Sequence, residues 1–157
     1  MIELELVGVR VELPHNQPIV LLKERSGERF LPIWIGAVEA TSIAFALQGV
    51  APARPMTHDL MRDLLASLHV SVDRIVVTEM RERTFYAEIQ MTQADEPIVV
   101  SSRPSDAIAL AVRATVPIYA DEGVLSEAGI EIEDADEDEV ERFKEFLEQV
   151  TPEDFRE

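Results

Sequence analysis

The sequence contains no cysteine, which excludes a disulfide framework, a thiolate nucleophile and a thiolate metal site. Any bound metal ion would therefore take oxygen or nitrogen ligands. No apolar run approaches the roughly 20 residues that span a bilayer, and the opening segment MIELELVGVR carries charges where a signal peptide needs an apolar stretch. We therefore expect a protein of the cytoplasm that does not interact with membranes.

Basic residues are scarce, with 14 lysines and arginines against 31 acidic residues and a net charge of −17. Residues 131–157 alone carry 13 acidic and 3 basic side chains, a net charge of −10. Such a field repels a phosphate backbone and argues against avid nonspecific binding to duplex nucleic acid. The first 130 residues nevertheless hold ten arginines and one lysine. The planar guanidinium suits recognition of carboxylate or phosphate, although codon bias would produce the same excess.

The length of 157 residues and a hydrophobic content of 46% suffice for one sizeable core. We predict a single α+β domain with a mixed, strongly bent sheet over residues 1–130. An acidic appendage follows over residues 131–157.

Alternating apolar residues predict most of the sheet. The segment IELELVGVRVEL changes phase at Val7-Gly8, as a bulged strand does. Ser26-Gly27 supplies the turn of a hairpin, and Pro32 predicts that the second strand of this hairpin is an edge or contains a bulge. Three further segments predict a meander: VSVDRIVVTEM, TFYAEIQM and PIVVSS.

Four segments have the spacing or the end signals of helices: VEATSIAFALQ, HDLMRDLLASL, DAIALAVRA and DEGVLSEAG. We predict that Thr57 caps the second helix and that Ser105 caps the third. In the second helix we expect four leucines to form the buried stripe: Leu60, Leu64, Leu65 and Leu68. The opposite, polar face is then formed by His58, Arg62 and Asp63.

The acidic appendage has two parts. The stretch EIEDADEDE is a poor core former and predicts a solvated link. Apolar residues then recur at helical spacing at Val140, Phe143, Phe146, Leu147 and Val150. We expect this amphipathic helix to pack on its own domain or on a neighbouring subunit, in a homodimer or a higher homo-oligomer.

Two stretches can be aligned strand to strand and helix to helix: RFLPIWIGAVEATSIAFAL and EPIVVSSRPSDAIALAV. Ile43 then aligns with Ile108, and Ala46 aligns with Ala111. This similarity predicts an internal duplication of a strand–helix unit, although two unrelated units of this kind would also agree by chance.

The segments RPMTHDL and RPSDAIAL place Arg-Pro, a hydroxyl and an aspartate at two predicted helix starts. Proline keeps the preceding arginine extended, and the hydroxyl and the aspartate suit the free amides and the dipole of a helix start. Arg54 and Arg103 have two interpretations: each pairs with a neighbouring aspartate, or together they hold a phosphate. If a local two-fold axis relates the two turns, four residues lie close together: Arg54, Asp59, Arg103 and Asp106.

Six motifs, in this order and at these intervals, resemble the bifunctional nuclease family, once classed as a domain of unknown function. The motifs are LPIWIG, Glu39-Ala40, RPMTHDL, TFYAEI, RPSDAIALAVR and PIYA. The resemblance covers residues 2–130, and the ending KEFLEQVTPEDF is similar to that of actinobacterial members. It implies an α+β fold with a duplicated unit, oligomeric assembly and nuclease activity on RNA and DNA.

The polar residues of these motifs form our hypothesis for the site. The catalytic candidates are His58, Glu39, Asp59 and Asp106, and the phosphate-binding candidates are Arg54, Arg103 and Ser105. Phosphodiester hydrolysis needs an activated water and neutralisation of developing charge, often by a divalent metal. In this hypothesis His58 acts as the general base or acid. Glu39, with Asp59 or Asp106, either orients His58 or binds Mg²⁺ or Mn²⁺. The alternative function is a non-catalytic regulatory or binding module for a small anionic ligand or a protein partner.

Overall fold

The computed structural model describes residues 1–12 and 17–131, which contain eight strands and four helices. The strands are β1 (Ile2–Glu12), β2 (Gln17–Glu24), β3 (Arg29–Trp34), β4 (Ser71–Arg81), β5 (Thr84–Gln93), β6 (Glu96–Ser102), β7 (Ile118–Ala120) and β8 (Ile130–Glu131). The helices are α1 (Ala37–Leu47), α2 (Thr57–Ser67), α3 (Pro104–Ala114) and α4 (Glu122–Ala128). This confirms the predicted α+β class.

All eight strands form one mixed sheet in the order β6-β5-β4-β7-β1-β2-β3-β8. The three strands β1–β3 are a meander of antiparallel pairs, and β4–β6 are a second one. The short β7 joins the two meanders, because it runs antiparallel to β1 and parallel to β4. One continuous sheet therefore supports the whole domain.

The predicted bulge and hairpin are confirmed, and the edge predicted from Pro32 is confirmed only for part of its strand. The register between β1 and β2 shifts between Leu6 and Gly8, which is the predicted bulge. β2 and β3 form the predicted hairpin. Pro32 pairs with Leu21 of β2, whereas β8 pairs with Arg29 and Phe30 at the other end of β3. The part of β3 that contains Pro32 does not pair with β8, so one side of it has no partner strand among the described residues. A residue without an amide hydrogen is tolerated at such an edge.

The core lies between the sheet and the alanine-rich helices α1 and α3. Helix α1 packs on β1 and β2, α3 packs on β4 and β5, and the two helices pack on each other. Small side chains let the helix backbones approach closely. In α1 and α3, the alanine, leucine and isoleucine residues with at most 5% exposure are Ala40, Ile43, Ala44, Ala107, Ile108, Ala109, Leu110 and Ala111. Ile43 and Ile108 are both fully buried, but the internal duplication stays a prediction.

Both predicted N-caps are wrong: the cap of α2 lies one residue before Thr57, and the cap of α3 lies two residues before Ser105. Helix α2 begins after Met56, whose amide donates to the Asp59 carboxylate at 3.0 Å, so Thr57 is its first helical residue. Helix α3 begins after Arg103, with Pro104 in its first turn. Proline suits the first helical position because its fixed φ fits the helix, and because an amide hydrogen at this position would have no hydrogen-bond partner within the helix. Ser105 consequently lies inside the helix, where it is buried.

The orientation predicted for α2 is also wrong. Leu60, Leu64 and Leu68 are 50%, 52% and 60% exposed, whereas His58 is 5% exposed. Leu65, from the predicted stripe, packs partly buried against the core. Helix α2 packs mainly on α3 and presents His58 and Asp59 to hydrogen-bonding partners there. Helix α2 therefore turns His58, Asp59 and Leu65 toward the domain, and the other three leucines toward solvent.

The acidic appendage and its predicted helix lie outside the described residues, except for Glu131 in β8. In residues 1–12 and 17–131, no helix combines the length and the apolar character needed to cross a bilayer.

Candidate functional site

His58 is held between two side chains from other helices. Its Nδ1 lies 2.6 Å from the Ser42 hydroxyl of α1, and its Nε2 lies 2.8 Å from Asp106 Oδ1 of α3. An ionised carboxylate only accepts hydrogen bonds, so Nε2 carries a proton and donates to Asp106. When the ring is neutral, Nδ1 accepts the Ser42 hydroxyl hydrogen. Both ring nitrogens are therefore engaged inside the protein.

The same Asp106 holds Arg103, the residue that precedes α3. Arg103 Nε donates to Asp106 Oδ2 at 2.9 Å, and Arg103 Nη2 donates to Glu39 Oε1 at 2.8 Å. The side chain of Arg103 is 66% exposed, but those of Glu39 and Asp106 are only 14% and 26% exposed. The pKa of the Arg103 guanidinium is raised, most by its hydrogen bond to Glu39 and next by its hydrogen bond to Asp106. Two partly buried carboxylates thus fix a permanently charged side chain at the surface.

A second set of contacts surrounds Arg113 in the last turn of α3. Its Nε donates to Asp59 Oδ1 at 2.8 Å, its Nη1 to the Ala109 carbonyl at 2.9 Å, and its Nη2 to the Ser42 carbonyl at 3.0 Å. Burial raises the pKa of Asp59, but hydrogen bonds from Arg113 and from the Met56 amide outweigh it, so the net pKa is lowered. Asp59 is therefore ionised at neutral pH.

Ser42 connects these two sets, because its hydroxyl contacts His58 and its carbonyl contacts Arg113. The result is one polar network that joins α1, α2 and α3 beside the core. In the described part of the chain, no buried side-chain nitrogen or oxygen lacks a hydrogen-bond partner. A fully satisfied network of this kind fixes the relative positions of the three helices.

The exposed end of the network borders a groove at the starts of α1 and α3. The groove has a volume of about 360 Å³. Two arginines, Arg83 and Arg103, line it together with Trp34, which is 54% exposed. Its other lining residues are Gln17, Ile33, Ile35, Gly36, Thr84, Phe85, Pro104 and Ser105. A second guanidinium and an aromatic ring therefore line the same groove as Arg103.

The structure brings together four of the predicted site residues: Glu39, His58, Arg103 and Asp106. Asp59 joins the network through Arg113. Ser105 is buried in the first turn of α3 and is one of the residues that line the groove. Arg54 is exposed and has no hydrogen bond or ion pair to any residue in the described ranges, so it does not join Arg103.

Three residues of the site were missed by the sequence analysis, although each had a signal. Ser42 is three residues after Glu39, and therefore on the same face of α1. Arg113 ends the motif RPSDAIALAVR, and Trp34 lies in LPIWIG.

The described residues contain no group of three or more His, Asp or Glu side chains arranged to hold a metal ion. Glu39 and Asp106 do converge, but the Arg103 guanidinium occupies the position between them. As arranged, these carboxylates do not fit a Mg²⁺ site, which needs several oxygen ligands in octahedral geometry.

Comparison with known proteins identifies a family and several relatives. The model of the bifunctional nuclease domain matches residues 20–133. An uncharacterized protein of Mycobacterium tuberculosis is 50% identical over 163 residues, which cover 98% of each chain. Bifunctional nuclease 1 of Oryza sativa subsp. indica is 25% identical over 81% of this chain and 39% of its own length. Bifunctional nuclease 2 of Oryza sativa subsp. japonica is 28% identical over 75% of this chain and 38% of its own length. The chain belongs to the bifunctional nuclease domain family.

Proposed function

We propose that this protein is a nuclease that hydrolyses phosphodiester bonds of RNA and DNA. The family and the names of the plant relatives support this activity. The observation that carries the proposal is Arg103, an exposed guanidinium fixed by Glu39 and Asp106 at the edge of a groove. A pre-positioned guanidinium binds a phosphate without the entropic cost of ordering a flexible side chain.

In this proposal Arg103 binds the scissile phosphate. Its Nε and Nη2 donate to the two carboxylates, whereas its Nη1 donates to none of the described residues and is left for a phosphate oxygen. The Ser105 amide, near the start of α3, is a second donor for the same anion. The guanidinium then neutralises the charge that develops on the phosphate in the transition state.

Asp106 is our candidate for the general base. It is the more exposed of the two carboxylates that hold Arg103. Its Oδ1 accepts one hydrogen bond, from His58, and has a second lone pair for a water. A water bound there, next to a phosphate on Arg103, would transfer a proton to Asp106 as its oxygen bonds to phosphorus. The P–O bond to the leaving nucleotide breaks, and the leaving oxygen takes a proton from solvent. His58, which is buried, acts in this scheme as a positioning residue that orients Asp106.

The experiment is a cleavage assay with purified full-length protein on single-stranded RNA and DNA, in parallel with Mg²⁺, Mn²⁺ or EDTA. We expect Arg103→Ala and Asp106→Asn to reduce kcat/KM by about 100-fold or more, as removal of a transition-state contact does. The matched control is Arg54→Ala, because Arg54 has the same Arg-Pro context but lies outside the network. Cleavage that survives all three substitutions would indicate a contaminating nuclease. The EDTA arm tests whether Mg²⁺ or Mn²⁺ is the cofactor.

A second function, a non-catalytic module for a small anionic ligand or a protein partner, is favoured by one observation. His58 is 5% exposed and both its ring nitrogens are bonded, so the ring offers no free nitrogen to a substrate. This function predicts Arg103-dependent binding of phosphate compounds without any turnover. Calorimetric titration with inorganic phosphate and a nucleotide, beside the cleavage assay, separates the two functions.

We extend the proposal to assembly as a homodimer or a higher homo-oligomer in the cytoplasm. The supporting feature is the outer face of α2, where Met56, Leu60, Leu64 and Leu68 are spaced four residues apart and are 45–60% exposed. Residues at this spacing form one stripe along a helix, and such a stripe suits packing against the same stripe of a second copy. Sedimentation at micromolar concentrations tests this assembly.

A further inference from the structure

Trp34 is the only tryptophan of the chain, and more than half of it is exposed. It ends β3 between Ile33 and Ile35, which are buried. Strand alternation therefore directs the Trp34 ring away from the side where its two neighbours enter the core. Its backbone is fixed by pairing with Ile19 of β2. The ring is thus a large apolar surface held in place beside the groove.

The groove beside Trp34 differs in charge from the rest of the molecule. The chain has 31 acidic residues, yet the described residues that line the groove include two arginines and no aspartate or glutamate. One of the two, Arg103, pairs with Glu39 and Asp106, which are not part of this lining. Arg83 is exposed and forms no ion pair within residues 1–12 and 17–131. Two guanidinium groups and an aromatic ring in one groove fit a ligand with an anionic part and a flat apolar part.

We propose that this groove binds one unpaired nucleotide of a single-stranded nucleic acid, with its base stacked on Trp34 and its phosphates on Arg103 and Arg83. This inference rests on the proposed function and specifies the form of its substrate. A volume of about 360 Å³ is at the lower end of the roughly 300–1,000 Å³ of small-ligand sites. Its size therefore suits a single nucleotide and not a duplex.

The preference for a single strand follows from the contact itself. Stacking on Trp34 needs a free base face, which a single strand offers and a duplex base does not offer until it is flipped out. The net charge of −17 further opposes the approach of a duplex, whose charge density is higher than that of a single strand. Polar groups of Gln17 and Thr84 also line the groove, where they are available to base edges.

Intrinsic fluorescence gives a direct test, because all tryptophan emission comes from Trp34. The full-length protein is titrated in EDTA with an eight-nucleotide DNA strand, an abasic strand of the same length, and the corresponding duplex. We expect the base-containing strand to quench the emission and to bind more tightly than the other two. Equal quenching by the abasic strand would overturn stacking, and equal binding of the duplex would overturn the preference for a single strand.

Substitutions are followed by anisotropy of a labelled strand. We expect Trp34→Ala to weaken binding roughly 5- to 150-fold, and Trp34→Phe to retain more of the affinity because a stacking face remains. The matched control is Tyr86→Ala, since Tyr86 is also an exposed aromatic side chain of the sheet but lies outside the groove lining. An equal loss of affinity in the Trp34 and Tyr86 variants would overturn the inference.

Arg83 offers a variant that separates binding from folding. It lies in the β4–β5 turn with φ of 68°, a conformation that glycine adopts without strain. We therefore expect Arg83→Gly to preserve the unfolding midpoint while it weakens binding and lowers the salt dependence by about one phosphate contact. Unchanged affinity and unchanged salt dependence in Arg83→Gly would remove Arg83 from the site.

The outcomes for this groove and for the nuclease are distinguishable. Quenching and Trp34-dependent binding without cleavage would support the nucleotide groove and refute the nuclease. Cleavage that depends on Arg103, without quenching and without an effect of Trp34→Ala, would refute the groove and leave the nuclease in place.

Discussion

The ion pair between Asp59 and Arg113 fastens α2 to α3, and its removal is the most direct test of the polar network. We consider Asp59→Asn, which keeps the volume of the side chain and an acceptor for the Met56 amide but removes the charge. The two side chains are 13% and 6% exposed. Loss of one partner of a buried pair costs about 3–5 kcal/mol, because the other charge stays buried and unpaired.

Two features of the structure reduce that cost. Arg113 keeps its hydrogen bonds to the Ala109 and Ser42 carbonyls. Both members of the pair also line a second groove, of about 380 Å³, which is open to solvent. We therefore expect Asp59→Asn to lower the free energy of unfolding by about 2 kcal/mol at pH 7, below the usual range for a buried pair. At a slope of ~2 kcal/mol per molar urea, the midpoint moves down by about 1 M.

The pH dependence of this difference gives a further check. Because the pKa of Asp59 is lowered in the folded state, its contribution to stability is fully present above the unfolded value of 3.8. That contribution is lost as the pH falls through the lower, folded pKa. Below that pH both chains have an uncharged residue 59 beside Arg113, so their urea midpoints should converge.

The matched control is Asp63→Asn, one helical turn away. Asp63 pairs with Arg62, but the side chains are 47% and 44% exposed. Solvent screening limits such a pair to about 0–1 kcal/mol. If Asp59→Asn costs no more than Asp63→Asn, or if its cost is independent of pH, the network does not hold α2 as we describe.

Three other predictions test separate parts of the molecule. In Gly36→Ala the new Cβ would overlap the Glu39 carboxylate, so we expect Glu39 to release Arg103 and phosphate affinity to fall severalfold, measured by calorimetry; unchanged affinity would contradict this. Leu64→Glu should change the urea midpoint little, because the site is half exposed, but should dissociate an oligomer formed through α2, as seen by sedimentation; an unchanged oligomer would exclude this face. Deletion of residues 132–157 should strengthen binding of single-stranded nucleic acid at low salt, because a net charge of −9 out of −17 is removed; unchanged or weaker binding would show that the appendage does not screen the site.

Much of the sheet was predictable, because strand signals are local. Alternation, the turn at Ser26-Gly27 and the phase change at Val7-Gly8 each depend on a few neighbouring residues, and the structure confirms them. The central helices were predictable for the same reason. The order of the strands was not predictable, since β7 joins two meanders through pairs that are distant in the sequence.

The candidate site was predictable in its residues but not in its contacts. The motifs contain Glu39, His58, Arg103 and Asp106, yet their pairing depends on how three helices are rotated. The leucine pattern of α2 indicated the wrong rotation, because hydrophobic spacing does not register buried hydrogen bonds to His58. Similarly, Arg54 and Arg103 occupy the same position in their two motifs, but Arg103 is paired with carboxylates and Arg54 is exposed without such a partner among the described residues.

The three-residue strand β7 has a consequence for the order of folding. It pairs Ile2 with Ala120 and Ile75 with Ile118, so a few late residues close the sheet across nearly the whole domain. During synthesis, we expect each meander to form from neighbouring segments, while β1 and β4 keep open edges until residue 120 leaves the ribosome. Closure of such a long loop carries an entropic penalty before any contact offsets it, which makes this step slow. We therefore expect the nascent chain to exist as two separate half-sheets, whose exposed edges call for protection by chaperones.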